Sequence, residues 1–137
     1  MALLHDVGKI GVDDAILRKP GRLTDKEFSD IKNHTVIGSQ ILSRISSMPE
    51  LQYGALYHHE RWDGKGYPRG LKGEEIPEAA RIIAVADAYD AMTSNRSYRK
   101  ALTQDCVHDE IVNGIGRQFW PPAARAMLKM MDQDIHY

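Results

Sequence analysis

The sequence predicts an all-α domain, and three observations predict it. Apolar residues recur at helical spacing and never alternate strictly; capping residues and first-turn prolines mark successive helix starts; glycine and proline collect between the apolar stretches. About six helical segments follow. Ala2 to Ile10 reads as an apolar helix stopped around Gly8 and Gly11, after which Asp13 caps a short turn through Leu17. Lys19-Pro20-Gly21 is a turn. Thr24-Asp25-Lys26-Glu27 has capping-box spacing, and Phe28, Ile31, Thr35, Gly38, Ile41, Leu42 and Ile45 repeat behind it. That pattern predicts one continuous helix up to Ser46-Ser47-Met48-Pro49. Pro49 suits the opening of the next helix, with Leu51, Ala55, His58 and His59 on one side.

Glu60 to Glu75 holds Gly64, Gly66, Gly70, Gly73 and Pro68, too many backbone breakers for a regular element, so a long loop is expected there. Pro77 opens an almost all-round apolar helix over Ala79 to Met92, interrupted by Asp87 and Asp90, and such a helix belongs at the centre of a bundle. After the polar link Thr93 to Lys100, Thr103 caps a helix to about Asn113, Gly114 and Gly116 end it, and Pro121 opens a last one through Met131. Trp120, Met127, Leu128 and Met131 are assigned to the core or a partner-helix face, and Cys106 with them.

A chain of 137 residues suits one domain able to bury a real core. Its 18 Lys and Arg against 19 Asp and Glu leave a net charge of -1, which excludes the broad positive field of a general DNA or anionic-lipid binder. Cys106 is the only cysteine, so neither an internal disulfide nor a cysteine-rich zinc site is available. No apolar run approaches the ~18 residues that cross a bilayer, and the N-terminus lacks the pattern of a secretory signal.

The chemistry lies in His5-Asp6, His34, His58-His59 and Asp87, all on or beside apolar helical faces. A carboxylate behind Ile82-Ile83-Ala84-Val85-Ala86 needs a cation facing it, either a basic side chain such as Arg81 or Arg96, or a metal. Histidine and aspartate suit first-row metals of intermediate hardness. Neighbours on a helix diverge by about 100°, so His5 and Asp6 fit two adjacent ions bridged by the carboxylate better than one ion. Two ions about 3.5 to 4 Å apart would clamp a phosphate and acidify a shared water, which is phosphoester hydrolysis. Taken singly, Lys9 could be a solvated helix-end cation, and Arg96, Arg99 and Lys100 an exposed basic stretch; His108 and His136 have no motif context.

His5-Asp6-Val7-Gly8-Lys9 resembles the HD signature of metal-dependent phosphohydrolases, and His58 through Pro68 resembles the extended motif of HD-GYP domains. Asp87 to Thr93 and Arg96 to Ala101 are similar to the segment that follows, so the resemblance covers nearly the whole chain. It implies an HD-domain-like helical bundle that hydrolyses cyclic di-GMP to the linear dinucleotide pGpG or to GMP, in a bacterial cytoplasm. It further implies two divalent ions, or three, of iron or manganese. Asp6 would bridge, His34, His58 and His59 would hold one ion, and His5 and Asp87 the other. Asp6 and Lys9 would be catalytic, with Lys9, Tyr67, Arg96 and Arg99 on the substrate. Asp63, Gly64, Gly66 and Pro68 would shape a loop that also offers a docking surface for diguanylate cyclase (GGDEF) domains, and a regulatory domain would precede residue 1 in the full protein.

This chain departs from the family pattern twice. A helix with a further metal-binding histidine usually precedes the HD motif, whereas only four residues precede His5, so the expectation is an HD-GYP domain over 1–137 lacking its first helix or helices. Trp120 stands before Pro121 where the family usually has aspartate, which bears on a helix cap. The under-liganded ion keeps an alternative open: an impaired module that binds cyclic di-GMP or docks a cyclase. A phosphohydrolase for another nucleotide is the third reading.

Overall fold

The computed structural model describes residues 2–95 and 100–133, so Arg96, Arg99 and His136 lie outside the described residues. Seven α-helices and three short 3-10 turns make up the regular structure, with no strand among the described residues beyond the isolated bridge Ile115–Phe119. The all-α expectation holds, and two of its elements are corrected. The segment Ala2 to Ile10 is not one helix but two 3-10 turns, Ala2–Leu4 and Val7–Gly11, joined at Asp6 with φ -97 and ψ 8. The expected continuous helix from Thr24 is broken at Asn33 into α2 (Asp25–Lys32) and α3 (His34–Leu42).

Local signals fix most starts. Asp13 accepts from the Ala15 N–H and opens α1 (Asp14–Leu17). Thr24 and Glu27 close a reciprocal capping box on α2, and Lys19 clamps the same Glu27 carboxylate at 2.7 and 2.8 Å. α4 (Leu51–Tyr57) follows Pro49, α5 (Glu78–Thr93) follows Pro77, and Thr103 caps α6 (Gln104–Gly114). Pro121 is the first residue of α7 (Pro121–Asp132), and Trp120 at its N-cap makes no side-chain capping bond.

The core has two parts. Leu42 and Leu51 pack with Ala55 and the partly buried Val7, joining α3, α4 and the second 3-10 turn. Val85, Val107, Ile111, Phe119 and Ala124 join α5, α6 and α7, with Met127, Leu128 and Met131 packed against them. α5 touches both halves, as its composition requires. Cys106, expected on a packed face, is exposed. The stripe on α2 and α3 is also corrected: Thr35, Gly38 and Leu42 are buried, whereas Phe28 is 47% exposed and Ile41 40%. Asn33, at φ -65 and ψ -16, keeps a helical conformation, so α3 follows α2 closely, but only the α3 part of the stripe reaches the core. No described helix is long and apolar enough to cross a membrane.

Candidate metal centre

Four separate segments bring the imidazoles and carboxylates together. His5 and Asp6 come from the junction between the 3-10 turns, His34 from the first position of α3, His58 and His59 from the end of α4, and Asp87 from the middle of α5. His34 and His58 are buried to 1% and 2%. His58 is the C-cap of α4, where the chain leaves the helix, and so the adjacent His59 turns toward the same space instead of diverging. Ring centroids of the pair are 4.1 Å apart. The turn at Asp6 acts in the same way, so His5 and Asp6 converge despite being neighbours.

Donor atoms of Asp6, His34, His58 and His59 lie within 4.8 Å of one another, and so do those of His5, Asp6 and Asp87. Asp6 belongs to both groups. Its Oδ1 is 3.3 Å from His34 Nε2 and 3.8 Å from His58 Nε2, while Oδ2 faces His5 Nε2 at 3.5 Å and receives the Lys9 ammonium. Asp87 Oδ1 is 3.3 Å from His5 Nε2. Arg81, one basic partner considered for Asp87, instead lies over the Trp120 ring at 4.4 Å.

Three of the histidines have their tautomer set from behind. Nδ1 of His34 donates to the Ile31 carbonyl, that of His58 to the Ala55 carbonyl at 2.9 Å, and that of His5 to the Ala2 carbonyl. With Nδ1 committed to a carbonyl, each Nε2 is turned into the shared space, where it can lend a lone pair to a cation or, without one, a proton to a carboxylate. His34 Nε2 and His58 Nε2 then face each other at 3.5 Å, next to a carboxylate. The buried His5 Nε2 makes no well-aligned hydrogen bond. Converging lone pairs and carboxylates with an orphaned buried nitrogen repel one another unless a cation sits among them, so the residues fit a divalent metal.

Electrostatics agree with that donor set. Burial, and then repulsion from the neighbouring imidazoles, pulls His58 down to about 4 and His59 to about 3, so both are neutral at pH 7. Burial pushes Asp6 up, but hydrogen bonds from His34 and Lys9 outweigh it and hold the carboxyl well below its ordinary range. Burial likewise opposes, and His5 overcomes, the shift of Asp87, which is lowered; the Asp87 carboxylate in turn raises His5 against its burial.

A pH prediction follows for the metal-free chain. Unfolded histidines take up protons near 6.5, whereas folded His58 and His59 do so only near 4 and 3, so the unfolded state binds more protons below pH 6.5 and stability falls with pH. Both groups steepen the loss in that window, and urea midpoints of chelator-treated protein at pH 7.5, 6 and 5 measure it. A midpoint that stays flat would contradict the buried neutral imidazoles.

The loop after α4 is built against the site. Tyr67 stacks on His59 with centroids 4.8 Å apart, and its N–H donates to the His59 carbonyl at 3.2 Å. Burial, reinforced by Asp6 and Asp87, raises the Tyr67 hydroxyl. Tyr67–Pro68 is a cis bond, Gly64 has φ +82, and the Asp63 carboxylate takes the Arg61 guanidinium and the Lys65 N–H. Gly66 has no room for a Cβ, which would fall 2.4 Å from the Arg61 nitrogen.

Sequence reasoning passed over Glu60. Its carboxylate, 3% exposed, accepts from the Arg69 and Leu71 N–H groups at 2.7 and 2.9 Å and ties the loop to the end of α4. The signal was present: an acidic residue directly after the histidine pair, ahead of a glycine-rich loop full of unpaired amides. Glu60→Ala leaves two part-buried donors unsatisfied, an expected loss of about 2 to 4 kcal/mol in urea unfolding, with faster amide exchange confined to 61–75. Unchanged exchange at Arg69 and Leu71 would refute the tether.

Fold and site together define a helical domain that pools histidine and aspartate donors around one pocket. The HD domain family profile matches residues 1–122; the chain belongs to that family, with a His58–Pro68 loop of the HD-GYP type. It is 52% identical over 132 residues to a cyclic di-GMP phosphodiesterase of Thermotoga maritima, covering 94% of this chain and 36% of the relative. A second cyclic di-GMP phosphodiesterase, from Vibrio cholerae, is 44% identical over 139 residues, covering 96% of this chain and 28% of its own length. The chain thus spans about a third of the length of these relatives. A solved cyclic GMP-AMP specific phosphodiesterase of Vibrio cholerae shares the fold with a TM-score of 0.65 at 18% identity, over 97% of this chain and 37% of that one.

Proposed function

We propose that the chain is the hydrolytic domain of a metal-dependent phosphodiesterase that opens cyclic di-GMP to linear pGpG, or on to GMP. The observation that carries this reading is the pair of donor groups sharing the Asp6 carboxylate, with Nε2 of His5, His34 and His58 turned inward by the carbonyl that each Nδ1 meets. Asp6, His34, His58 and His59 would hold one divalent ion, and His5, Asp6 and Asp87 the other, with iron or manganese suited to an all-nitrogen-and-oxygen set. Bound there, the ions supply Lewis acidity toward the phosphate and a water acidified to near neutrality.

The remaining work falls to the chain. Lys9, anchored on Asp6 Oδ2, keeps an ammonium at the edge of the donor groups, where it offsets charge on a phosphodiester and can give a proton to the departing oxygen. Neutral His58 and His59 leave their lone pairs free at pH 7. Tyr67 closes the side of the pocket next to His59. The 137-residue chain loaded anaerobically with iron(II) or manganese(II) is expected to bind two ions and to linearise cyclic di-GMP, read by elemental analysis and chromatography of the products. Loaded protein that turns over no cyclic di-GMP would defeat the reading, and preferential hydrolysis of cyclic GMP-AMP would reassign the substrate.

A further inference from the structure

Phe28 and Lys32 stand one turn apart at the end of α2, outside both donor groups, and neither is buried in the core. Phe28 is large, aromatic and 47% exposed. Its ring meets Tyr67 edge-on at 6.2 Å, and the Lys32 ammonium lies 4.8 Å from the Phe28 centroid and 5.8 Å from that of Tyr67. Both residues line a cavity of about 370 Å³ together with His58, His59 and Tyr67, so the cavity lies alongside the donor groups. Its volume lies in the range of small-ligand sites.

Two of the other charges on this cavity, Arg61 and Glu60, are already engaged, and the third, Lys65, belongs to the glycine-rich loop and not to α2. Arg61 is held by both oxygens of Asp63 at 3.1 and 2.7 Å, and Glu60 is consumed by two loop amides. Lys32 has no carboxylate within 4.0 Å among the described residues. An ammonium resting on aromatic rings at a partly exposed site gains less than one making a charge-assisted bond to a phosphate oxygen.

We propose that Phe28 and Lys32 form a half-site on α2 for the part of a cyclic dinucleotide that lies away from the scissile phosphate: Lys32 takes the second phosphodiester, and in leaving the ring uncovers Phe28 for a base to stack upon. A cyclic dinucleotide carries two phosphodiesters and two bases, and the donor groups engage only one of the four. The cavity beside His58 and His59 is the adjacent space, and it offers an uncommitted cation and an open aromatic face four residues apart on one helix. This half-site rests on the hydrolase reading for the identity of its ligand.

The test is binding of the bis-phosphorothioate of cyclic di-GMP, which resists hydrolysis, to the metal-loaded chain by calorimetry. Phe28→Ala and Lys32→Met are each expected to weaken it about tenfold with metal content unchanged, and Lys32→Arg to stay within about threefold of the original affinity. Unchanged affinity in either loss variant, or equal losses for Lys32→Arg and Lys32→Met, overturns the half-site, as does an original chain that fails to bind the analogue. An original chain that binds it with these variant effects but hydrolyses no cyclic dinucleotide supports the half-site and overturns the hydrolase reading instead.

Discussion

Asp6→Ala is expected to cost both ions and to lower cyclic di-GMP turnover by more than about a thousandfold. Every other donor belongs to one group; Asp6 belongs to two, through different oxygens. Losing one preorganised group that stabilises a transition state typically costs about a hundred- to a thousandfold, and a carboxylate shared by both groups exceeds that. Asp87→Ala provides the contrast. It removes a donor from the His5 group only, leaving Asp6, His34, His58 and His59 intact, so one ion is expected to remain. Metal content of the purified variants decides between shared and separate sites: an Asp6→Ala chain that keeps two ions would rule out the bridge. Stability should move little in the metal-free Asp6 variant, because the carboxylate is 32% exposed and its main cationic partner, Lys9, is 42% exposed and returns to water.

Much of this centre was legible in the sequence because its donors break the hydrophobic pattern. A polar ligand at a buried phase of a helix, as at His34 and His58, is visible as an exception to the periodicity around it. The long loop was legible for a related reason, since glycine and proline at that density exclude regular structure. What the pattern could not carry was backbone geometry at element ends. The 3-10 turns around Asp6 and the exit of α4 at His58 let adjacent residues converge, where an ideal helix would send them about 100° apart. The break at Asn33 was hidden because apolar residues continue on both sides of it; only the tertiary requirement that α3 approach the second 3-10 turn separates α2 from α3. Phe28, read as part of the apolar stripe, lines the cavity and not the core.

Gly8→Ala is the structural change expected to do the most damage, and its site shows why. Sequence reasoning treated Gly8 as a helix stop, but its place is a backbone crossing. A Cβ added there would sit 1.8 Å from the His34 carbonyl oxygen and 2.4 Å from the Gly38 nitrogen, both on α3. These are main-chain atoms in the middle of a packed pair, so no flexible side chain can yield. The φ of Gly8 is outside the left-handed region, and the penalty is therefore steric alone. Separating the second 3-10 turn from α3 by the necessary ångström or more would open the cluster of Val7, Leu42, Leu51 and Ala55, at an expected cost of at least about 3 kcal/mol. The same displacement carries Asp6, two residues earlier, away from His34 at 3.3 Å. Metal affinity should therefore fall with stability although no ligand is altered. Gly38→Ala is the matched control: its Cβ would meet the Gly8 nitrogen at 3.2 Å and the Ala55 Cβ at 3.4 Å, contacts that a shift of a few tenths of an ångström relieves. Urea unfolding and metal titration of the two variants should separate them by more than about 2 kcal/mol. Equal behaviour would mean that the turn bearing Asp6 is not pinned to α3 at this crossing.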